Sequence, residues 1–415
     1  MQMHKIVREN YSYVVVLTGM LAMIMVYGTT MLSLGLFVVP MVNYFGFSYA
    51  SVSAIMSFKA VGAIIGSKLA AVVIRKKSVK CCMIVFAALF SAAAFSLSQC
   101  CSLWQFYFFA VVLGIAEAGT STIPISVLVN NWVSSSRRGA AIGISYMGSG
   151  IGGLIFSPII NSIIQNYGWN FGFAFIGIVM AAVYLPVISV FTVSSPEQFY
   201  KSEKHFAGKS LELQHKNAGI RYEDAIKTKL FWEIGIAILL LSACSMSFVF
   251  HLSSYFISIG CPSQKAAFLV GISSACIALA KMMLGICADK TAPATAAAIG
   301  FGSLGFGLLT LCLLPFNSLF FIPVIIFSGF GNASVSVLTP IIGNYFFGER
   351  DFARIMGQLS MLSSVGNAAG PLFTGMVLDV TGSYRGAFLL LAILVFAAAV
   401  RTVHAMVTLR RREYD

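Results

Sequence analysis

Apolar runs of at least roughly 18 residues recur from Tyr11 almost to the end of the chain, and each is long enough to cross about 30 Å of hydrocarbon as a helix. They are far too long for the strands of a membrane barrel, which need about ten residues. A backbone in lipid must satisfy its hydrogen bonds within itself, so such a chain is restricted to a bundle of transmembrane helices. Composition agrees: 58% of the 415 residues are hydrophobic and 10% charged, against about a quarter charged in soluble domains. The runs number twelve. The first, about 11 to 39, lacks a short core followed by a small-residue cleavage site and is read as a span rather than a leader.

The net charge of +13 is distributed by topology, which argues against a nucleic-acid surface. Of 27 Lys and Arg residues, 21 fall in alternate connections and the two tails, two (Lys265, Arg385) in the opposite connections and four within spans. This positive-inside bias predicts an even number of spans and cytoplasmic termini in a multi-pass protein of the cell membrane. The stretch 195–229 carries seven basic and five acidic residues, too polar to cross. The organisation expected is a six-span half over 1–194, a cytoplasmic linker over 195–229 and a second six-span half with a short tail over 230–415. Glycines repeat at an offset of 214 residues, Gly152 with Gly366, Gly168 with Gly382 and Gly172 with Gly386, as an internal duplication requires. Parallel halves of this kind place a substrate site between them near the bilayer midplane.

Ionisable groups inside spans are costly, so they are the candidate functional residues. Lys281 lies eight residues before Asp289, about 12 Å along a helix, hence near the midplane if Asp289 is at the surface. An ammonium there needs an anion. Lys59 in the second span is similarly deep, and Glu117 in the fourth is the one acid placed far inside a run. Lys59 either supplies a second anion-binding cation or neutralises Glu117; Glu117 either carries a proton or stays locked to Lys59. Lys68 is close enough to Arg75 to snorkel to the headgroups, and His251 either lines a cavity or is simply hydrogen-bonded. The nine cysteines lack metal-site spacing and read as small core residues. Glycines in the fifth run (Gly143, Gly148, Gly150, Gly152, Gly153) and the eleventh (Gly357, Gly366, Gly370, Gly375) permit close helix approach and suit sliding contacts between the halves. No phosphate loop, metal-spaced histidine cluster or soluble catalytic domain is present, so neither an enzyme nor a cofactor is expected.

Gly285-Ile-Cys-Ala-Asp289-Lys290 resembles the loop signature of the major facilitator superfamily, whereas the first-half counterpart Gly66-Ser-Lys-Leu-Ala70-Ala71 lacks the acid. More narrowly, the chain is similar to the oxalate:formate antiporter and monocarboxylate transporter branch. The stretches that carry this are Phe37 to Pro40 with Phe45-Gly46, Trp132 through Arg137-Arg138-Gly139-Ala140 to Gly143, Lys227-Thr228 with Phe231-Trp232, Lys281 through Asp289, and Gly370-Pro371 through Gly382-Ser383-Tyr384. The resemblance implies an all-α membrane protein of twelve transmembrane helices in two pseudo-symmetric six-helix halves, and a secondary transporter of a small organic anion working by alternating access, as proton symport or anion exchange. It implies that Lys281 binds the substrate carboxylate at a position usually held by Arg, and that Asp289, Lys290, Arg137 and Arg138 hold the inward face closed. Departures narrow the substrate. The helix-11 lysine of oxalate carriers is replaced here by Ser363-Ser364, and the aromatic lining is thinned to Met31, Leu32, Asn332 and Ser336. A monocarboxylate with a hydrocarbon tail is therefore expected, bound by Lys281 with help from Lys59, against Tyr27, Met31, Phe330 and Asn332, with Glu117 coupling a proton. Beyond substrate and bilayer no partner is expected, nucleic acid included, and a monomer is the family default. Efflux of drugs or other amphipathic compounds is the alternative, and a non-transporting sensor a third reading that the short linker and tails disfavour.

Overall fold

A computed structural model describes residues 2–31, 33–133, 138–194, 220–291, 293–348 and 351–414. Among them the secondary structure is helical, and eleven segments are long and apolar enough to cross a membrane. The twelfth expected span is there as the helix Phe352–Thr381, 30 residues long. It falls outside the eleven because Ser363, Ser364, Asn367 and Pro371 dilute its apolar character.

Three spans are interrupted where the sequence reads as one run. The first consists of Gln2–Thr30, a 3-10 turn Leu34–Phe37 and Val38–Phe45. The fourth breaks at Ser121, between Leu103–Thr120 and Thr122–Trp132. Pro124 explains that break: without an N–H it cannot bond the Thr120 carbonyl one turn back, and Tyr184 instead donates to that carbonyl at 2.8 Å. Tyr184 closes a π-helical turn, Met180–Tyr184, that interrupts the sixth span between Trp169–Val179 and Leu185–Phe191. Irregularities of this kind inside long helices recur at functional sites.

The chain divides into two compact units, 1–204 with 252–278 and 205–251 with 279–415, so that the seventh helix, Lys229–Ser258, and the eighth, Ser263–Lys290, each contribute to both. In the first unit the helix Tyr49–Lys76 lies backbone to backbone along the fourth span. A Cβ on Gly62 would stand 2.0 Å from the Val111 carbonyl oxygen, and one on Gly114 would stand 1.9 Å from that of Lys59. Only glycine allows this approach, which brings Lys59 and Glu117 to the same level. The first and fifth spans meet likewise, and a Cβ on Gly152 would stand 2.2 Å from the Ile24 carbonyl oxygen.

The second unit repeats the arrangement, with Gly366 and Gly370 of the eleventh span against the Leu239 and Ala243 carbonyls of the seventh. Gly168 and Gly382, equivalent by the 214-residue offset, both adopt positive φ (102° and 66°) at the fifth-to-sixth and eleventh-to-twelfth turns. Of the glycines expected at contacts between the six-span halves, Gly150 meets the second half. Gly148, Gly152, Gly366 and Gly370 pack within their own six-span half, Gly143 and Gly357 meet nothing, and Gly150 approaches Ser274 and Ala278 of the eighth span. The cysteines are unpaired and mostly buried or half-buried, but Cys101 is exposed in the turn before Leu103.

The end of the linker is tied down in the second unit. The Ile220 N–H donates to the Phe347 carbonyl at 3.0 Å and that of Tyr222 to Asp351 at 2.8 Å. Arg354 pairs with Glu223 at 2.6 Å and lies 4.5 Å from the centre of the Tyr222 ring.

Candidate functional site

The close approach of the second and fourth spans sets Lys59 Nζ 2.7 Å from Glu117 Oε2, with the residues 5% and 8% exposed. The fully buried Thr30 hydroxyl adds a 3.0 Å hydrogen bond to the same carboxylate oxygen. Thr30 is the last residue of the first helix before its interruption, so the acid is held by three spans. The break in the fourth span begins just past Glu117, where Ser121 donates to the Glu117 carbonyl at 2.7 Å and Thr120 does so at 3.1 Å. A charge pair this dry is sustained only with such extra hydrogen bonds.

Tyr27 stands beside this pair, near Glu117 and Tyr146 and close to the side chains of Ser121 and Thr122. It is thus part of a polar cluster. Met31, which follows the helix end at Thr30, is half-buried.

In the second unit Lys281 lies within the unbroken helix Ser263–Lys290 and is half-buried. Among the described residues no carboxylate comes within ion-pair distance of it. Phe330 is half-buried and Asn332 buried. Asn332 accepts from Ser245 at 2.5 Å and donates to the Ser328 carbonyl at 2.8 Å. Ser363 is 2.7 Å from the Ser242 hydroxyl. Lys68 is exposed, as a snorkelling side chain would be. His251 is fully buried, and its Nε2 donates to the Pro371 carbonyl at 3.0 Å, which fits a structural histidine.

Of the residues expected to close the inward face, Arg137 and the side chains of Arg138, Asp289 and Lys290 lie outside the described residues. Other polar links escaped sequence reasoning. Thr30 sits in an apolar run and carries no signal beyond its hydroxyl. Arg401 of the last span bonds Glu233 of the seventh at 2.8 Å, a pairing that the depth of both residues near their span ends left unmarked. Among the described residues no cluster of three metal-ligating side chains occurs.

The sequence profile described as Major Facilitator Superfamily matches residues 19–350 and 267–415. Monocarboxylate transporter 12 of Homo sapiens is 25% identical over 284 residues, 62% of this chain and 54% of that protein. The aspyridones efflux protein apdF of Emericella nidulans is 24% identical over 307 residues, 73% of this chain and 57% of its own length. The chain thus spans a little over half the length of these curated relatives. Among solved structures, a bacterial homolog to the human lysosomal transporter Spinster, inward-facing and unoccupied, superposes with a TM-score of 0.72 at 18% identity, covering 97% of both chains. At that identity the likeness speaks for the fold.

Proposed function

Because the chain belongs to the Major Facilitator Superfamily, we propose that it is a secondary active transporter of a small organic anion, a monocarboxylate above all, coupled either to protons or to exchange with a second anion. The observation that carries this is Lys281, an intramembrane cation with no carboxylate in reach among the described residues. Such a group is normally paired or serves an ion or substrate, and a substrate carboxylate supplies the missing charge. An ammonium is a point charge on a flexible stem, whereas a guanidinium grips a carboxylate with two parallel bonds. Recognition is therefore looser than in carriers with Arg at this position, and discrimination falls to the apolar contacts, each buried methylene contributing about 0.8 kcal/mol. Met31 and Phe330 supply apolar surface, and Asn332 a hydrogen-bonding side chain.

Lys59 and Glu117 form the coupling element. With Glu117 charged, the pair is closed; with Glu117 protonated, Lys59 becomes available to an anion. Proton and anion then favour each other's binding, the linkage a symporter needs. Asp289, Lys290, Arg137 and Arg138 hold the inward face closed, in a monomer with both termini cytoplasmic and no partner beyond substrate and lipid. Efflux of amphipathic compounds is the second reading, and the similarity to the aspyridones efflux protein favours it. Glu117 would then serve as the cavity acid.

Thermal stability of the purified protein against acetate, pyruvate, benzoate and a lipophilic cation separates the two. A ligand at 100 times its Kd stabilises the folded state by about 2.7 kcal/mol. Stabilisation by the monocarboxylates that disappears in Lys281→Gln is expected. Stabilisation by the cation alone, lost in Glu117→Gln, would overturn the anion reading in favour of efflux.

A further inference from the structure

At the face of the first unit opposite the linker, a cavity of about 530 Å³ lies among the span ends, a volume usual for small-molecule pockets. Trp169 on its wall opens the sixth span, whose other end leads into the linker. Neither the Lys59–Glu117 pair nor Lys281 lines it, and Ser263 on its wall comes eighteen residues before Lys281 in the eighth helix. It is therefore separate from the site described above.

The wall mixes two kinds of surface. Val39, Ile164 and Ile257 are apolar, and Trp169 adds an aromatic ring 5.8 Å from that of Tyr44. Asn43, Tyr44, Asn161, Gln165 and Ser263 are polar and uncharged, and among the described residues no charged side chain lines the cavity. Asn161 is 2% exposed and is fixed by the eighth helix: its Nδ2 donates to Gln264 Oε1 at 2.8 Å, and Gln264 Nε2 donates to the Pro158 carbonyl at 3.4 Å. The carbonyl oxygen of this cavity-lining amide is left without a donor among the described residues, a state that costs free energy until something bonds it. Asn43 and Gln165 are exposed, and their amides likewise have no partner among the described residues. Each amide sets a donor beside an acceptor, which matches a hydroxyl that gives one hydrogen bond and takes others. A charged ligand would lose hydration here and meet no counter-charge. A purely apolar one would leave the amides unbonded. A ring carrying several hydroxyls and one apolar group answers both surfaces.

We propose that this cavity is a second binding site, for an uncharged hydroxylated ring compound with an apolar substituent, a glycoside in chemical class. Asn161 bonds one ring hydroxyl, Asn43 and Gln165 bond others, and the exposed Tyr44 ring covers the apolar face of the sugar. The occupant touches the first, fifth, sixth, seventh and eighth spans at once, through Asn43, Asn161, Trp169, Ile257 and Ser263. It therefore binds the arrangement in which the fifth and eighth lie close, where a Cβ on Gly271 would stand 3.2 Å from the Leu154 carbonyl oxygen. A ligand with that preference draws the population toward this arrangement.

Calorimetric titration of phenyl β-glucoside into the purified full chain, in phosphatidylcholine nanodiscs freed of glycoside detergent, tests the site. Saturable binding is expected, weakened about fivefold or more in Gln165→Leu and in Asn43→Leu, as the loss of a hydrogen bond to a ligand gives, and unchanged in Lys281→Gln. Both amide positions are exposed, so neither replacement disturbs the packing. Wild type that binds no glucoside, or amide variants that bind it undiminished, would overturn the proposal. Loss of binding in Lys281→Gln would overturn it too, by putting the glucoside in the site proposed for the carboxylate. A glycolipid headgroup offers the same chemistry: glucosylceramide added to the nanodisc weakens the titration if it is the occupant and leaves it unchanged if free glycosides are, and either result supports the site. Benzoate titrated into the same preparation reports on the carboxylate reading separately, so each can fail while the other stands.

Discussion

Removing one partner of the Lys59–Glu117 pair and then both gives a sharp test of how the membrane interior tolerates it. With both side chains about nine-tenths buried, deleting either leaves an uncompensated charge, for which a loss of about 3–5 kcal/mol is usual. Each loss has a ceiling, because the survivor can become neutral. A lysine in the unfolded chain holds its proton with a pKa of about 10.4, so entering the fold neutral at pH 7 costs about 4.6 kcal/mol; a glutamate at about 4.3 costs about 3.7 kcal/mol. Glu117→Gln should therefore be the more damaging, at up to about 4.6 kcal/mol, and Lys59→Met the milder, at up to about 3.7 kcal/mol. The Thr30 hydroxyl bond remains available to the acid in the second case. The double variant leaves a neutral amide beside a thioether and should recover most of the loss, because a buried pair replaced by neutral groups of similar size is often near neutral in stability. Unfolding by increasing denaturing detergent in mixed micelles measures all three. A double variant whose loss equals the sum of the single losses would show that the two groups do not interact and would remove the coupling element.

Two further outcomes follow from the packing and the surface. Gly114→Ala puts a Cβ 1.9 Å from the Lys59 carbonyl, so the second and fourth spans must part by about 1 Å, with an overpacking loss of about 1–3 kcal/mol; Gly143→Ala, which meets nothing within 4 Å, is the neutral control in the same unfolding measurement. At the linker, a backbone N–H and then Arg354 hold the Glu223 carboxyl below its ordinary value. A depressed value means the contact stabilises the fold above the unfolded pKa and is lost as pH falls through the folded one, so the protection of residues 220–226 against hydrogen exchange, taken relative to the intrinsic rate at each pH, should fall in acid below the usual carboxylate range and hold at neutral pH, a difference that Arg354→Gln abolishes.

The helical bundle, its duplication and the candidate charges were open to reading because hydrophobic length and glycine offset are properties of the chain itself. The interruptions were harder to see. The break at Pro124 went unread in the fourth span, and its rescue by the Tyr184 hydroxyl depends on a contact across 64 residues, which no local pattern encodes. In the same way Thr30 differs little from Thr29: both bond carbonyls one turn back, and only the packed arrangement aims one of them at Glu117. The helix Phe352–Thr381 shows the opposite effect. Its serines and asparagine weaken it as an isolated apolar segment, yet the glycines among them seat it against the seventh span.

The pairing of Lys59 with Glu117 follows from a feature that looked purely structural. Read one at a time, the two charges allowed either a second anion-binding cation or a neutralised acid, because register between spans is not a property of either residue. Gly62 and Gly114 fix that register by admitting carbonyl oxygens where any side chain would stand. With the helices this close, the charges meet at 2.7 Å. Lys281 has no such glycine-set neighbour of opposite charge among the described residues. One lysine is therefore answered by the protein and the other meets no carboxylate among the described residues, the difference on which the roles proposed for them rest.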